Sequence, residues 1–242
     1  MTTWLSIWWI LLHGLFGQQI LLPLMSGPQP TGCTTPSGTT VTESFGDSST
    51  LCWTSGPSNC NQTWKIGSGS IQSIISSPGT PPANTACANS MQMTTSGSND
   101  FIYKDGFGIL SSSNYDVRGT IYVSSGISLG NAVTILCWVQ NASTDCDLSN
   151  AIVSIRLGNP SGTSQLWGMG SDQGMGINIT LSAWHTFVLH HDSTAANCYL
   201  AVDGGAHDAF TCNAPISAAA VYAGPQHYGA VSSTWVLGNL AF

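Results

Sequence analysis

The chain has 242 residues, of which 42% are hydrophobic and only 6% charged, with a formal net charge of -7. That composition affords a sizeable core and excludes intrinsic disorder, which pairs low hydrophobicity with high charge. Lys65, Lys104, Arg118 and Arg156 are its four basic residues, too few to neutralise many phosphates, so nucleic acid and anionic membrane surfaces are excluded as partners. The polar surface must instead be Ser, Thr, Asn, Gln and Gly, suited to hydrogen bonding neutral polyhydroxyl ligands or to packing in an assembly.

The first segment, WLSIWWILLHGLFGQQILLPLM (Trp4 to Met25), is apolar and uncharged and runs into a Pro/Gly break, SGPQPTG. Residues 1–27 read as a secretory signal peptide or a hydrophobic anchor, and 28–38 as a linker. Export suits the eight cysteines, Cys33, Cys52, Cys60, Cys87, Cys137, Cys146, Cys198 and Cys212, all of which follow this segment. The count is even and no pair is spaced CxxC, which points to disulfides rather than zinc or redox chemistry. The expected location is therefore secreted or cell surface. Sequons occur at Asn61, Asn141 and Asn178, glycosylation sites in a host that uses them.

From residue 39 onward no run has helical period. Short stretches rich in Val, Ile, Thr, Tyr and Phe alternate with Gly, Ser, Asn and Asp clusters. Strands are expected over 40–45, 63–66, 71–76, 90–94, 101–104, 120–125, 132–140, 151–156, 164–167, 176–181, 185–190, 198–202, 209–212, 218–222 and 235–242. So many short strands with regular turns predict a sandwich or barrel. In CYLAVDGGAHDAFTC the turn Asp203-Gly204-Gly205 has the composition of a tight hairpin, with Cys198 and Cys212 nearly equidistant from it and able to face each other. CWVQNASTDC places Cys137 and Cys146 around a similar polar turn. Cys33, Cys52, Cys60 and Cys87 leave three connectivities open, with Cys52–Cys60 and Cys33–Cys87 the favoured pair.

The stretch WHTFVLHHDSTAANCYLAVDGG runs Trp-His, alternating apolar strand, Asp-containing turn, and second strand ending Val-Asp-Gly. It resembles the laminin G-like branch of the concanavalin A-like lectin/glucanase superfamily. VTESFGDSSTLCW is similar to that fold's opening strand, and STWVLGNLAF to the closing strand that returns beside it. The resemblance implies an all-β, antiparallel two-sheet jelly-roll sandwich over 39–242, and a role in carbohydrate binding, adhesion, glycan hydrolysis or glycan lysis. It also implies calcium at a rim, for which Asp145, Asp147 and Asn150 in DCDLSN supply hard oxygen ligands.

Chemistry is sparse. Glycoside hydrolysis uses two carboxylates, but Glu43 is the one Glu and no Glu-x-Asp-x-x-Glu strand occurs. A lyase would draw on His185, His190, His191, Tyr199, Arg118 and Arg156, without the surrounding motifs. Neighbouring strand residues face opposite ways, so His190 and His191 cannot easily share an ion. His185 and His191 share a face with Phe187 and Leu189, which marks part of that face as core, so one of these histidines reads as a hydrogen-bonded structural residue. Trp138 and Trp184 read as core. Trp167 in WGMG, and His227 and Tyr228 in GPQHYG, fall in loops and are the ligand-binding candidates. The resulting expectation is a non-catalytic sandwich that binds a glycan or surface polymer. The alternative is a self-assembling subunit of an extracellular filament, coat or virion appendage, with a glycan-cleaving enzyme third.

Overall fold

The computed structural model describes residues 42–43, 51–52, 64–68, 71–76, 78–79, 89–95, 100–109, 114–139, 146, 151–194, 197–213, 218–224 and 231–241. The leader, the linker, Cys33, Cys60, Cys87, Asn61, Asn141, Asp145, Asp147, Asn150, His227 and Tyr228 lie outside them, and Cys52 enters through its backbone alone. Every regular element among the described residues is a strand. In chain order they are β1 (Thr42–Glu43), β2 (Leu51–Cys52), β3 (Trp64–Ser68), β4 (Ile71–Ser76), β5 (Asn89–Thr95), β6 (Phe101–Ile109), β7 (Tyr115–Ser125) and β8 (Ala132–Val139). There follow β9 (Ala151–Gly158), β10 (Gln165–Met169), β11 (Ile177–Asn178), β12 (Trp184–His191), β13 (Cys198–Val202), β14 (His207–Phe210), β15 (Ala218–Ala223) and β16 (Ser233–Ala241).

The strands form an antiparallel two-sheet jelly-roll sandwich. Sheet A has eight strands, ordered β14-β13-β12-β7-β16-β5-β4, with β1 also on β16. Sheet B has eight, ordered β11-β10-β9-β8-β15-β6-β3-β2. The one departure from antiparallel pairing in the described sheets is β2 with β3. The closing strand does return beside the opening one: Thr42 pairs with Ala241 and Glu43 with Leu240.

Alternation decides which side chains meet in the middle. Along β12, His185, Phe187, Leu189 and His191 are buried, while Trp184, Thr186, Val188 and His190 are half-buried on the outer face. In β7 the odd positions Val117, Ile121 and Val123 are fully buried and enter the same core. Sheet B faces them with Ile135, Trp138, Val153, Ile155 and Val221.

The two outer faces differ. All eight residues of β9 are buried, as are all but the first of β8, so these central strands are covered on both sides, Thr134, Ser154 and Arg156 included. Cys137, Val139, Cys146, Ala151 and Tyr222 form a second buried cluster there, with Phe101 and Tyr103 packed against it. Phe101 meets Tyr222 edge-on at 5.1 Å. On the outer face of sheet A, Asp116, Arg118 and Tyr122 of β7, the even positions of β12 and Tyr199 of β13 are only half-buried, while Thr120 and Ala201 are buried.

Both geometric disulfide expectations hold, with altered geometry. Cys198 bonds Cys212 and Cys137 bonds Cys146. Yet the residue opposite Cys198 is Phe210, and Cys212 lies beyond the end of β14. Likewise Cys137 pairs with Ser154, and Cys146 lies in the connection between β8 and β9. Each bond ties a strand to chain just outside it.

Other differences have plain causes. β7 starts at Tyr115 rather than at 120, because Asp116 and Arg118 point outward and do not interrupt the apolar alternation. Trp167 stands in β10, not in a loop, and is 7% exposed. Its indole fills space that side chains at Gly158 and Gly176 would occupy, the first on β9, so the flanking glycines mark a packing site rather than a loop. Trp138 is core as expected, but Trp184 lies on the outer face of sheet A. His207 opens β14.

Candidate functional site

The outer face of sheet A gathers polar and aromatic side chains from four adjacent strands. His190 of β12 stands opposite Asp116 of β7 on one side and Tyr199 of β13 on the other. Val188 lies between Arg118 and Ala201, and Ala201 faces His207 of β14. Because the register repeats every two residues on one face, Asp116, Arg118, His190, Tyr199 and His207 all project from the same side.

Asp116 is the hub. Its Oδ1 meets His190 Nδ1 at 2.7 Å, and its Oδ2 accepts from Arg118 Nη2 at 2.8 Å. Partial burial alone pushes this carboxyl upward, but the hydrogen bonds and positive charge of Arg118 and His190 hold it below its ordinary value of 3.8. The bond to Asp116 fixes the imidazole and leaves Nε2 on its far edge. Tyr199 stacks on His190 with centroids 4.7 Å apart and on His207 with centroids 3.8 Å apart. The first spacing is that of adjacent strands, so the rings stand side by side off the sheet. Their faces cover one another, and their edges carry ring nitrogens and a phenol. Burial and the nearby Asp116 charge push that phenol above its ordinary 10.0, with Arg118 opposing. The strand then leaves the sheet at Asp192, which accepts from Thr194 N at 2.7 Å and Thr194 Oγ1 at 2.6 Å. These bonds lower the Asp192 carboxyl.

A second aromatic pair lies at the other end of β12 on the same face. Trp184 pairs with Tyr122 in register, and their rings are 5.6 Å apart. The indole donates from Nε1 to Pro78 O at 2.5 Å. A side chain at Gly238 would clash first with Thr120 Oγ1 at 2.3 Å and then meet the six-membered ring of Trp184 at 3.0 Å, so glycine at this bulge of β16 makes room for both.

Behind this face, His185 acts as a strut. Its Nδ1 meets Asp203 Oδ2 at 2.6 Å and its Nε2 meets Thr180 O at 2.9 Å, with the residue 7% exposed. Asp203 Oδ1 also accepts from Thr186 N at 2.8 Å. Asp203 and Gly204 are both left-handed, with φ of 52° and 67°, and Gly205 N donates to Val202 O at 2.9 Å. The Asp-Gly turn predicted from sequence is thereby locked to the start of β12.

Of the other expected site residues, Trp167 is held in place through a relay. Its Nε1 donates to Gln165 Oε1 at 2.9 Å, and Gln165 Nε2 donates to Asn178 Oδ1 at 2.8 Å. It is remote in register from the His190 cluster, on the other sheet. Asn178 is exposed on β11, and its Nδ2 is not used by that relay. Among the described residues no three His, Cys, Asp or Glu side chains converge on a metal position. Within the stack, the Tyr199 ring separates His190 from His207, which keeps the two imidazoles off a common ion.

Asp116 was the partner not foreseen for His190. The available signal was the alternation in YDVRGTIYV, with polar residues at even and apolar ones at odd positions up to Thr120.

No family model matches the chain, and no curated protein matches it. Solved structures do. The chain is similar to a carbohydrate esterase of the Shiga toxin-encoding bacteriophage phi24B, with TM-score 0.52, 14% identity, and coverage of 74% of this chain and 88% of that one. It is also similar to the cellulose induced protein Cip1, with TM-score 0.53, 12% identity, and coverage of 84% and 96%. At these identities the likeness is one of fold alone, a two-sheet β-sandwich, and it does not single out a laminin G-like branch.

Proposed function

We propose that this chain is an extracellular, non-catalytic sandwich that binds a neutral glycan on the outer face of sheet A. The observation that carries the reading is the His190–Tyr199–His207 stack, with Asp116 and Arg118 beside it. Upright rings present a row of hydrogen-bonding edges, and carbohydrate hydroxyls both donate and accept. Arg118 is matched by Asp116 at 2.8 Å and the chain carries a net charge of -7, so the face offers no surplus positive charge to a polyanion. Glycoside hydrolysis uses two carboxylates, and the described cluster holds one, already engaged by two partners. Two disulfides suit an oxidising, extracellular setting. The fold neighbours, named as a carbohydrate esterase and a cellulose induced protein, agree with a carbohydrate context.

The test is a glycan array read with the full secreted chain and with Tyr199→Ala. Selective binding of neutral glycans is expected, weakened about tenfold by the substitution, the scale of one aromatic anchor. An array without binding, or one unchanged by Tyr199→Ala, refutes the reading.

A further inference from the structure

We infer that the Trp184–Tyr122 pair is a second subsite on this face, and that the ligand is therefore an extended neutral oligosaccharide lying along β12 rather than a single terminal sugar. The inference rests on the reading of the His190 cluster as a glycan site.

Three observations lead to it. First, Trp184 and His190 both project from the outer face of β12, six residues apart, roughly 20 Å at 3.3–3.4 Å per residue. A monosaccharide cannot touch both ends, but a linear chain can.

Second, Trp184 is placed rather than merely tolerated. Gly238 clears the sheet beneath the indole, Pro78 O holds its Nε1 at 2.5 Å, and Tyr122 flanks it at 5.6 Å. A large aromatic kept half-buried on an outer face, with its nitrogen already bonded, has its apolar surface left for contact. The two patches are thus complementary. The His190 end offers polar ring edges, whereas the Trp184 end offers an aromatic body suited to the C–H face of a sugar ring.

Third, the lane between them is low. Thr120 and Thr186 form one register pair and Arg118 and Val188 the next, and none of these is a bulky aromatic. The formal charges along the described lane and at its His190 end have partners: Arg118 pairs with Asp116, Asp203 beside Thr186 meets His185, and Asp192 past His190 accepts from Thr194. An uncharged polymer crosses this lane without desolvating an unmatched charge.

The experiment measures affinity of the full chain for cello-, manno- and xylo-oligosaccharides of graded length, from the disaccharide upward, by calorimetry. The variants are Trp184→Ala, Tyr122→Ala, Val188→Arg and Tyr199→Ala. For the series that binds, affinity is expected to climb with length until the chain spans both patches, then level off. Trp184→Ala and Tyr122→Ala should each weaken the long oligomers by about tenfold and leave the shortest binder unchanged. Val188→Arg, which obstructs the lane beside Arg118, should also weaken the long oligomers, and it guards against misfolding at Trp184. Tyr199→Ala should weaken every length. If affinity does not depend on length, or if Trp184→Ala, Tyr122→Ala and Val188→Arg all leave long oligomers unaffected while Tyr199→Ala weakens them, the second subsite is wrong and the first stands. If no series binds, or if Tyr199→Ala is silent, the glycan reading falls and takes this inference with it.

Discussion

Asp203 supplies a sharp test of how the hairpin is held. Replacing it with glycine has two opposed effects. The loss is the acceptor of His185 Nδ1, on a residue that is 7% exposed, and stranding such a donor costs about 1–3 kcal/mol. The bonds from Thr186 are exposed and add about 0.5–1 kcal/mol. The gain is backbone relief: Asp203 sits at φ 52°, which costs a non-glycine residue on the order of 1 kcal/mol. The balance is a net destabilisation of about 0.5–3 kcal/mol. Asp203→Ala loses the same bonds without the relief and should fall about 1 kcal/mol further. Asp203→Asn keeps an acceptor and tolerates the left-handed region, so it should stay within about 1 kcal/mol of the parent. Urea unfolding with the disulfides intact, compared at constant slope, gives the order Asn, Gly, Ala. A glycine variant as stable as the parent would show that backbone relief outweighs the carboxylate bridge, and the strut argument would fail.

Acid should act on the His190 cluster through Asp116. Its carboxyl is held below 3.8 in the folded chain, so its contribution is whole above that value and is lost as pH falls through the lowered one. The carboxylate is partly exposed, so the loss amounts to no more than about 1 kcal/mol, and Asp116→Asn should remove this part of the acid sensitivity. A stability–pH curve unchanged by that substitution contradicts the assignment. In the core, a side chain at Gly168 would lie 2.1 Å from a Phe210 ring carbon, so Gly168→Ala should cost about 1–3 kcal/mol through overpacking. Phe210→Leu in the same chain should recover part of that cost, and double-mutant additivity by denaturation would refute the contact.

Legibility followed locality. The hairpin from Cys198 to Cys212 could be read because its turn needs two left-handed residues and Asp-Gly provides them. The alternation of β12 was visible because each face has one character over eight residues. The first half of β7 was obscured because its outward residues are charged, and charge within a strand reads as loop. Trp167 closes the expected strand 164–167, but the glycines that follow it look like a flexible segment, whereas one of them, Gly176, clears room for the indole together with Gly158, nine residues upstream. Trp184 reads as core by residue type, yet the alternation of β12 sets it on the face opposite Phe187 and Leu189, and Gly238, far away in sequence, helps make room for its ring. The His190 cluster combines β7, β12, β13 and β14, and only the last three are neighbours in the chain.

The unequal settings of the tryptophans give the molecule a native optical label. Trp138 and Trp235 are fully enclosed and Trp167 is clamped between strands, so none of these indoles exchanges with solvent. Trp184 alone among the described tryptophans with characterised side chains lies partly open, on the face where ligand is proposed to dock. Among these described indoles its emission is therefore the component that an external quencher reaches and that an occupied face shields, and it can be followed without attaching any dye.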